Sequence, residues 1–352
     1  MSAALPAAPP TGPPRITGPA RLLRRRVLAM AVAVAAVALG CLLSLSVGSN
    51  PIPLGRVWQL LLSPDGSLEA IVLAEQRVPR TLLLLVVGAG LGLAGALMQS
   101  ITRNPLAEPG LLGVNAGASL AVVLAVAVAG VSGVWFYLWF AFAGAALASV
   151  AVYLLGLAGF AGATPSRLAL AGVAITMTVS SLVQTVILAD QQAYNEFRFW
   201  ASGSVEGRGY PVLAAVAGFI VAGAVLAILL APALNTLALG EETARALGVR
   251  IGLTRGLAVA AVTLLAGAAT AAAGPIMFIG LGVPYLARAA FGPDQRWVLP
   301  GTLVAAPAVL LVADVVARVV AAPSEVPVGV VAAILGGPVF IAIVRRPRLE
   351  AL

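Results

Sequence analysis

The sequence contains no lysine and no histidine, so all 21 of its basic residues are arginines. Without lysine the chain cannot form a Walker A loop, in which a lysine contacts the β- and γ-phosphates of a nucleotide. Without histidine it offers no imidazole ligand for haem, zinc or iron and no histidine general base. These absences exclude a nucleotide-binding P-loop and imidazole-based metal or acid–base chemistry within this chain.

Charge and cysteine are scarce as well. Only 10% of the 352 residues are charged and 61% are hydrophobic, whereas about a quarter of a typical soluble domain is charged. A soluble core could not bury so much apolar surface, so the sequence predicts an all-α protein surrounded by lipid. The one cysteine, Cys41, lies in an apolar run and is interpreted as a small buried hydrophobe.

Charge-free runs predict ten transmembrane helices, because one span needs about 20 apolar residues. Two runs are long enough for two spans each. Glycines 130 and 133 predict a turn in the first, and Gly274-Pro275 divides the second. The predicted spans are 27–47, 81–102, 111–130, 134–158, 168–189, 211–231, two within 256–287, 298–320 and 328–344.

Residues 1–26 are predicted to form a disordered cytoplasmic tail, since the first 20 are rich in proline, alanine and glycine without apolar periodicity. Ten spans place both termini on one side of the membrane. That side then carries 15 of the 21 arginines, so the positive-inside rule predicts cytoplasmic termini. The net charge of +8 does not indicate nucleic-acid binding, because the arginines lie at the ends of apolar runs.

The stretch 234–250 is the one extended cytoplasmic loop with helical patterning. Glu241 and Arg245 are spaced as an i,i+4 ion pair, and Gly248 stands where a helix C-terminal cap belongs. A short amphipathic helix of this kind suits docking into the groove of a partner protein. The alternative is a helix that lies on the membrane interface.

Two further segments interrupt the helical pattern. Residues 104–110 contain two prolines, which prevent a continuous helix, and residues 274–288 carry Pro275 and Pro284 around a glycine-rich stretch. The first could be a simple loop between spans, and the second could be an ordinary helix kink. Both patterns predict distorted backbone without specifying a ligand.

Polar residues within the spans are few. Thr176, Ser180 and Gln184 repeat every four residues and could line a translocation path, although the pattern alone favours interhelical hydrogen bonding. Asp314 and Arg318 are also spaced i,i+4, which predicts a structural ion pair in preference to a proton relay.

Several motifs in order resemble the FecCD-type permeases of ABC importers for iron-siderophores, haem and cobalamin. They are RVPR at 77–80, RNPLAEPGLLGVNAGA at 103–118, FWASGS at 199–204, LGEETARALGV at 239–249, GPIMFIGLGVPYLAR at 274–288, the Asp314–Arg318 segment and PVGVVAAILGGPVF at 327–340. The resemblance covers residues 50–348. It implies a type II ABC importer permease with ten spans over residues 27–348, which acts as a dimer with the path at the dimer interface.

The resemblance also implies partners. Two separate cytoplasmic ATPases would bind ATP and magnesium, the second permease would be another copy or a paralogue, and an extracytoplasmic binding protein would deliver cargo. The coupling residues toward the ATPase would be Leu239, Gly240, Glu241, Glu242, Arg245, Leu247 and Gly248. The binding protein would meet the outer arginines Arg56, Arg77, Arg80, Arg198 and Arg208 through its acidic residues.

The predicted cargo is a ferric siderophore, with haem or cobalamin as alternatives. This chain has no recognisable site for a bare iron ion, so iron should arrive chelated. One departure from the family pattern is Tyr285, where a histidine usually follows the proline. An ion-coupled secondary transporter would need carboxylates along its path, and only Asp314 lies clearly within a span. A membrane-embedded enzyme and an ABC exporter are less well supported.

Overall fold

The computed structural model describes residues 19–130, 133–157 and 165–345, and within these ranges the chain is helical without any strand. Seven helical segments are long and apolar enough to cross a membrane. Three shorter apolar helices, Val114–Ala129, Ile279–Phe291 and Val328–Ala342, occupy the positions of the remaining predicted spans. The predicted all-helical, multi-pass architecture is confirmed, whereas the count of ten is reached only when these shorter helices are included.

The helices follow one another along the chain with short connections, some of them only one or two residues long. The long segment Leu68–Thr102 combines a short α-helix, a π-helical stretch at Val72–Arg77 and a long α-helix. The α-helices are α1 Pro19–Ser46, α2 Leu54–Leu62, α3 Leu68–Ile71, α4 Val78–Thr102, α5 Val114–Ala129, α6 Val134–Leu157, α7 Pro165–Ala189, α8 Gln191–Ala201, α9 Tyr210–Ala238, α10 Glu241–Ala246, α11 Ile251–Ala273, α12 Ile279–Phe291, α13 Gln295–Val320 and α14 Val328–Val344.

Helix α4 forms the centre of the bundle and packs against α9, α11, α12 and α13. Glycines on α4 make this packing possible, because small residues let helix backbones approach closely. A Cβ atom at Gly95 would lie 1.7 Å from the carbonyl oxygen of Gly280, and one at Gly92 would lie 2.4 Å from the Ala306 side chain. Helices α1 and α7 lie at the periphery and are largely exposed in the single chain.

The N-terminal boundary differs from the prediction. Helix α1 begins at Pro19, so residues 19–26 are helical and do not belong to a disordered tail, while residues 1–18 lie outside the described part of the chain. Two side chains explain the early start. Arg25 donates to the carbonyl of Ala289 over 2.5 Å, and Arg26 donates to that of Phe291 over 2.8 Å. These bonds hold the first turns of α1 against the end of α12.

The polar contacts of the arginines fall at the two ends of the bundle. We call the end of the bundle where α1 begins the inner end and the opposite end the outer end. Arg103 donates to the Leu237 carbonyl over 2.6 Å at the inner end, and Arg80 contacts Asp314 over 2.8 Å at the outer end. Among the contacts described, none joins an arginine predicted inside to a partner predicted outside. The arginines with described contacts thus divide between the two ends as the predicted spans require.

Both proline-containing segments are distorted as predicted. The connection after α4 folds back along that helix, because Gly280 lies beside both Pro109 and Leu91. Leu91 is eleven residues before the end of α4, which corresponds to roughly 16 Å of helix. Helix α12 is short, and the turn before it holds Phe278 at a positive φ of 68°.

Candidate functional site

Helix α10 projects at the inner end of the bundle and is held by a few buried contacts. Ala244 is fully buried against Leu237 and Ile251, whereas Leu239 and Leu247 expose about two thirds of their surface. The predicted 234–250 loop is wrong at its start, because residues 234–238 belong to α9. Leu234 and Leu237 are buried there and extend the apolar pattern of that helix.

The end of α10 is a Schellman motif centred on Gly248, which adopts a positive φ of 83°. The amide of Gly248 donates to the Arg245 carbonyl over 3.0 Å, and the amide of Val249 donates to the Ala244 carbonyl over 2.9 Å. This pairing satisfies the last helical carbonyls and suits glycine at the left-handed position. The predicted glycine cap is confirmed.

Glu241 is the residue that ties α10 to the rest of the molecule. Its carboxylate lies 2.9 Å from Arg245 and 2.8 Å from Arg255, which is buried on α11. The hydrogen bond from Arg255, followed by both positive charges, lowers the pKa of the Glu241 carboxyl. The predicted i,i+4 pair is confirmed, and Arg255 is a partner that the local pattern did not reveal.

At the outer end, two buried arginines cap the end of α1. Arg77 donates to the carbonyls of Leu45 and Asn50, and Arg318 donates to those of Ser44 and Val47 over 2.9 and 3.0 Å. The last carbonyls of a helix have no intrahelical partner, so guanidinium groups stabilise them. Arg77 was predicted to face a docking protein, but in this chain most of its donors are turned inward.

A second cluster joins the beginning of α4 to the end of α13. The fully buried carboxylate of Asp314 lies 2.8 Å from Arg80 and 3.0 Å from Arg318, so the predicted Asp314–Arg318 pair is confirmed. Arg80 also contacts Glu325 over 2.6 Å. Four charges of balanced sign therefore meet at this point. Sequence spacing alone revealed only one of the three pairs.

Two cavities open on either side of the Arg80–Glu325 pair. The first has a volume of about 210 Å³ and is lined by Arg77, Arg80 and Arg318 together with Glu69 and Glu325. The second has a volume of about 410 Å³, and its charged lining residues are Glu75, Arg80, Glu206, Arg208 and Glu325. By formal charge the first lining is net positive by one unit and the second net negative by one unit. Arg80 and Glu325 belong to both linings.

The other three predicted docking arginines are dispersed over the outer end. Arg56 pairs with Asp65 over 2.5 Å and with Glu69 over 3.0 Å. Hydrogen bonds from Ser67 and Arg56 lower the pKa of the Asp65 carboxyl to about 2. Arg198 is exposed on α8 and stacks over Phe199, with 5.0 Å between the guanidinium carbon and the ring centre.

Arg208 lies apart from these and is only 6% exposed. It forms a side-chain hydrogen bond with Tyr137, and burial lowers the pKa of its guanidinium group. Within the described residues its Nε and Nη1 atoms have no hydrogen-bond partner. The five arginines predicted for docking thus do not form one continuous patch.

The predicted path residues lie on α7, at the periphery of the single chain. Thr176 is half-buried, whereas Ser180 and Gln184 are exposed. Neighbouring hydroxyl groups on α7 are satisfied by the helix itself, since Thr178 and Ser181 donate to carbonyls four residues earlier. The polar face of α7 therefore remains uncovered by other helices of this chain.

No group of three or more potential metal-ligating side chains occurs in the ranges that the structure describes. Comparison with known proteins then identifies the family. The model of the FecCD transport family matches residues 36–346. The chain belongs to the FecCD transport family.

Relatives within FecCD cover most of this chain. The ferric enterobactin transport system permease protein FepD of Escherichia coli is 46% identical over 86% of this chain and 91% of its own length. The probable siderophore transport system permease protein YfiZ of Bacillus subtilis is 41% identical over 83% of this chain and 87% of its own length.

A solved structure agrees with this assignment. An inward-facing structure of a transporter described as metal-chelate type ABC matches with a TM-score of 0.80 and 26% identity, over 90% of this chain and 98% of that one. The predicted type II ABC importer permease fold is therefore confirmed for this FecCD protein.

The most informative residues that sequence analysis missed are Glu325 and Arg255. Each is separated by more than ten residues from the partner it contacts, so neither has a periodic signal. Glu325 lies in the connection between α13 and α14, two residues before the family segment PVGVVAAILGGPVF. Tyr285, the departure from the family pattern, is half-buried on α12.

Proposed function

We infer that this FecCD protein is the permease subunit of an ABC importer that moves a ferric siderophore across the cytoplasmic membrane by alternating access. The observation that carries this function is the presence of two separate surfaces at opposite ends of one helical bundle. Helix α10 presents exposed side chains at the inner end, and arginine-lined cavities open at the outer end. A permease driven from inside and loaded from outside needs both.

The inner surface would contact two ATPase subunits, which would bind the ATP and magnesium. The coupling residues are the exposed Leu239, Glu242, Arg245 and Leu247, with Gly240, Glu241 and Gly248 shaping the helix that carries them. Ala244 and Glu241 fix α10 to α9 and α11. A displacement of α10 by the ATPase would therefore move these two long helices directly. Both termini would lie in the cytoplasm.

The second permease, either another copy or a paralogue, would cover the polar face of α7. Ser180 and Gln184 are exposed there although they lie in a membrane-spanning helix. Polar side chains facing lipid are unfavourable, whereas they are tolerated beside a partner helix or a water-filled path. Thr176, Ser180 and Gln184 would then line the path between the two permeases.

The outer surface would receive the extracytoplasmic binding protein. Arg80 is the central contact, because it lies between both cavities and remains partly accessible. Arg77 would support it electrostatically, Arg208 would act from the second cavity, and Arg56 and Arg198 would contribute at the rim. Acidic residues on the binding protein would be attracted to this end in a salt-dependent manner.

A ferric siderophore is the cargo class best supported, because the FepD and YfiZ relatives are named for ferric enterobactin and siderophore transport. The lack of histidine also fits iron that arrives already chelated. A chelated iron complex only has to pass along the path, because its iron does not have to exchange ligands with side chains of the permease.

The test is uptake of radiolabelled ferric enterobactin by cells that lack their own permease and express this chain with its ATPase and binding protein. We expect uptake that is lost when the Walker A lysine of the ATPase is replaced by alanine. Uptake that persists in that ATPase variant would contradict an ABC mechanism. Saturable uptake of haemin but not of any ferric siderophore would contradict the cargo assignment alone.

A further inference from the structure

The contact between Arg80 and Glu325 divides the outer surface. Arg80 reaches Glu325 over 2.6 Å through Nη1, while its Nε and Nη2 atoms contact Asp314 over 3.1 and 2.8 Å. Asp314 is fully buried and lies on α13, so its bond is enclosed. Glu325 keeps 20% of its side chain exposed and lies in a connection. The two bonds of Arg80 therefore differ in how easily a new partner could replace them.

The position of the pair strengthens this distinction. Arg80, Glu325 and Gln76 are shared by the linings of both cavities, so the ion pair forms part of the wall between them. On its other side Arg80 faces a cavity that also holds Arg77 and Arg318. An incoming carboxylate would find three guanidinium groups there. Of these three groups, Arg80 is the most accessible, and Glu325 is the carboxylate of this chain that already pairs with it.

We propose that Glu325 is an internal competitor for the docking site, and that an acidic side chain of the extracytoplasmic binding protein displaces it from Arg80. This rests on the proposed function and adds the exchange step to it. The Arg80–Asp314 bond persists, and the freed Glu325 carboxylate turns toward water in the second cavity. The displacement opens the wall between the two cavities.

The exchange also supplies a route from docking to the helices. Glu325 precedes the start of α14 by three residues, and the amide of Gly329 in the first turn of α14 donates to the Gly203 carbonyl over 2.8 Å. Helix α14 packs only on α12 and α13 among the described elements with several contacts. Release of Glu325 therefore removes one side-chain tether just before a lightly packed helix, while the backbone bonds of Val326 and Gly329 persist.

The experiment measures a dissociation constant. One partner is the permease–ATPase complex in nanodiscs, and the other is the purified, cargo-free binding protein that supports uptake with this permease. Saturable, salt-sensitive binding to the wild-type complex is required first, and its absence would overturn the docking proposal itself. Given such binding, Glu325→Gln should tighten it about fivefold, since a pair of this exposure contributes up to about that factor. Glu325→Asp, which keeps the charge but withdraws the carboxylate, should tighten binding in the same direction.

The matched control is Glu196→Gln, which removes one negative charge from α8 at the same end without lining either cavity. We expect less than a twofold effect. The increase in affinity caused by Glu325→Gln should also vanish when Arg80 is replaced by Met, because the guanidinium group for which the two carboxylates compete is then absent. Unchanged or weaker binding of both Glu325 variants would overturn the proposal, and so would an equal gain in the Glu196 control.

Discussion

Replacement of Asp314 by asparagine tests whether the outer cluster is structural. The side chain is fully buried and is contacted by Arg80 and Arg318, whose side chains are 12% and 3% exposed. Removing the negative charge leaves two neighbouring guanidinium groups with Glu325 as their only remaining carboxylate in the cluster. Breaking a buried ion pair in this way costs about 3–5 kcal/mol. We expect a large loss of stability.

For a chain of this length, each kcal/mol of lost unfolding free energy lowers the melting temperature by about 2 °C. Asp314→Asn should therefore lower the Tm of the detergent-solubilised protein by roughly 6–10 °C in a thermal-shift assay. Asp65→Asn is the matched control, because Asp65 pairs with Arg56 at the same end but is 40% exposed. Its effect should stay below about 2 °C, since exposed ion pairs contribute little to stability.

Charge balance provides a second check on this reasoning. Combining Asp314→Asn with Arg80→Gln restores neutrality among the remaining charges and should recover part of the lost stability. A stable Asp314→Asn protein that folds normally but no longer transports would refute the structural interpretation. That result would favour a proton relay through the carboxylate.

Three further predictions concern other regions. Gly95→Ala should prevent normal assembly, because its Cβ would lie 1.7 Å from a backbone oxygen, whereas Gly218→Ala has open space and should be neutral or stabilising by up to about 1 kcal/mol, both measured by thermal unfolding. Glu241→Gln should reduce transport-coupled ATPase activity several-fold with little change in expression, while Thr243→Ala, at an exposed α10 position outside the coupling set, should do so less than twofold; equal effects would contradict the anchoring role. Gln184→Leu should slow uptake without lowering Tm, and unchanged uptake would remove this residue from the path.

Much of the fold was accessible from the sequence, because apolar runs in lipid have few structural alternatives. Short-range signals also gave correct results: the cap at Gly248, the break at Gly274-Pro275 and the Glu241–Arg245 pair each depend on residues close in the chain. The boundaries were less accurate. The sixth span was predicted to end at Ala231, but α9 continues through Pro232 to Ala238, because uncharged residues extend the helix.

The candidate site was less predictable, because its important contacts join distant segments. Arg80 meets Asp314 from 234 residues away and Glu325 from 245 residues away. The helical periodicity of the sequence gives no signal for pairs of residues so far apart. The sequence indicated that arginines lie at the outer end, but which of them are turned inward depends on packing that only the assembled bundle defines. Arg77 and Arg208 are buried for this reason.

The attachment of α1 limits how the bundle can move. This helix is largely exposed along its length, yet arginines bind backbone carbonyls at each of its extremities: Arg25 and Arg26 reach the end of α12, and Arg77 and Arg318 reach back to residues 44–50. Helix α1 therefore connects the inner end of α12 rigidly to the outer ends of α4 and α13. Tilting at one of these attachment points would therefore be passed along α1 to the other, so α1 would transmit movement across the full thickness of the bilayer.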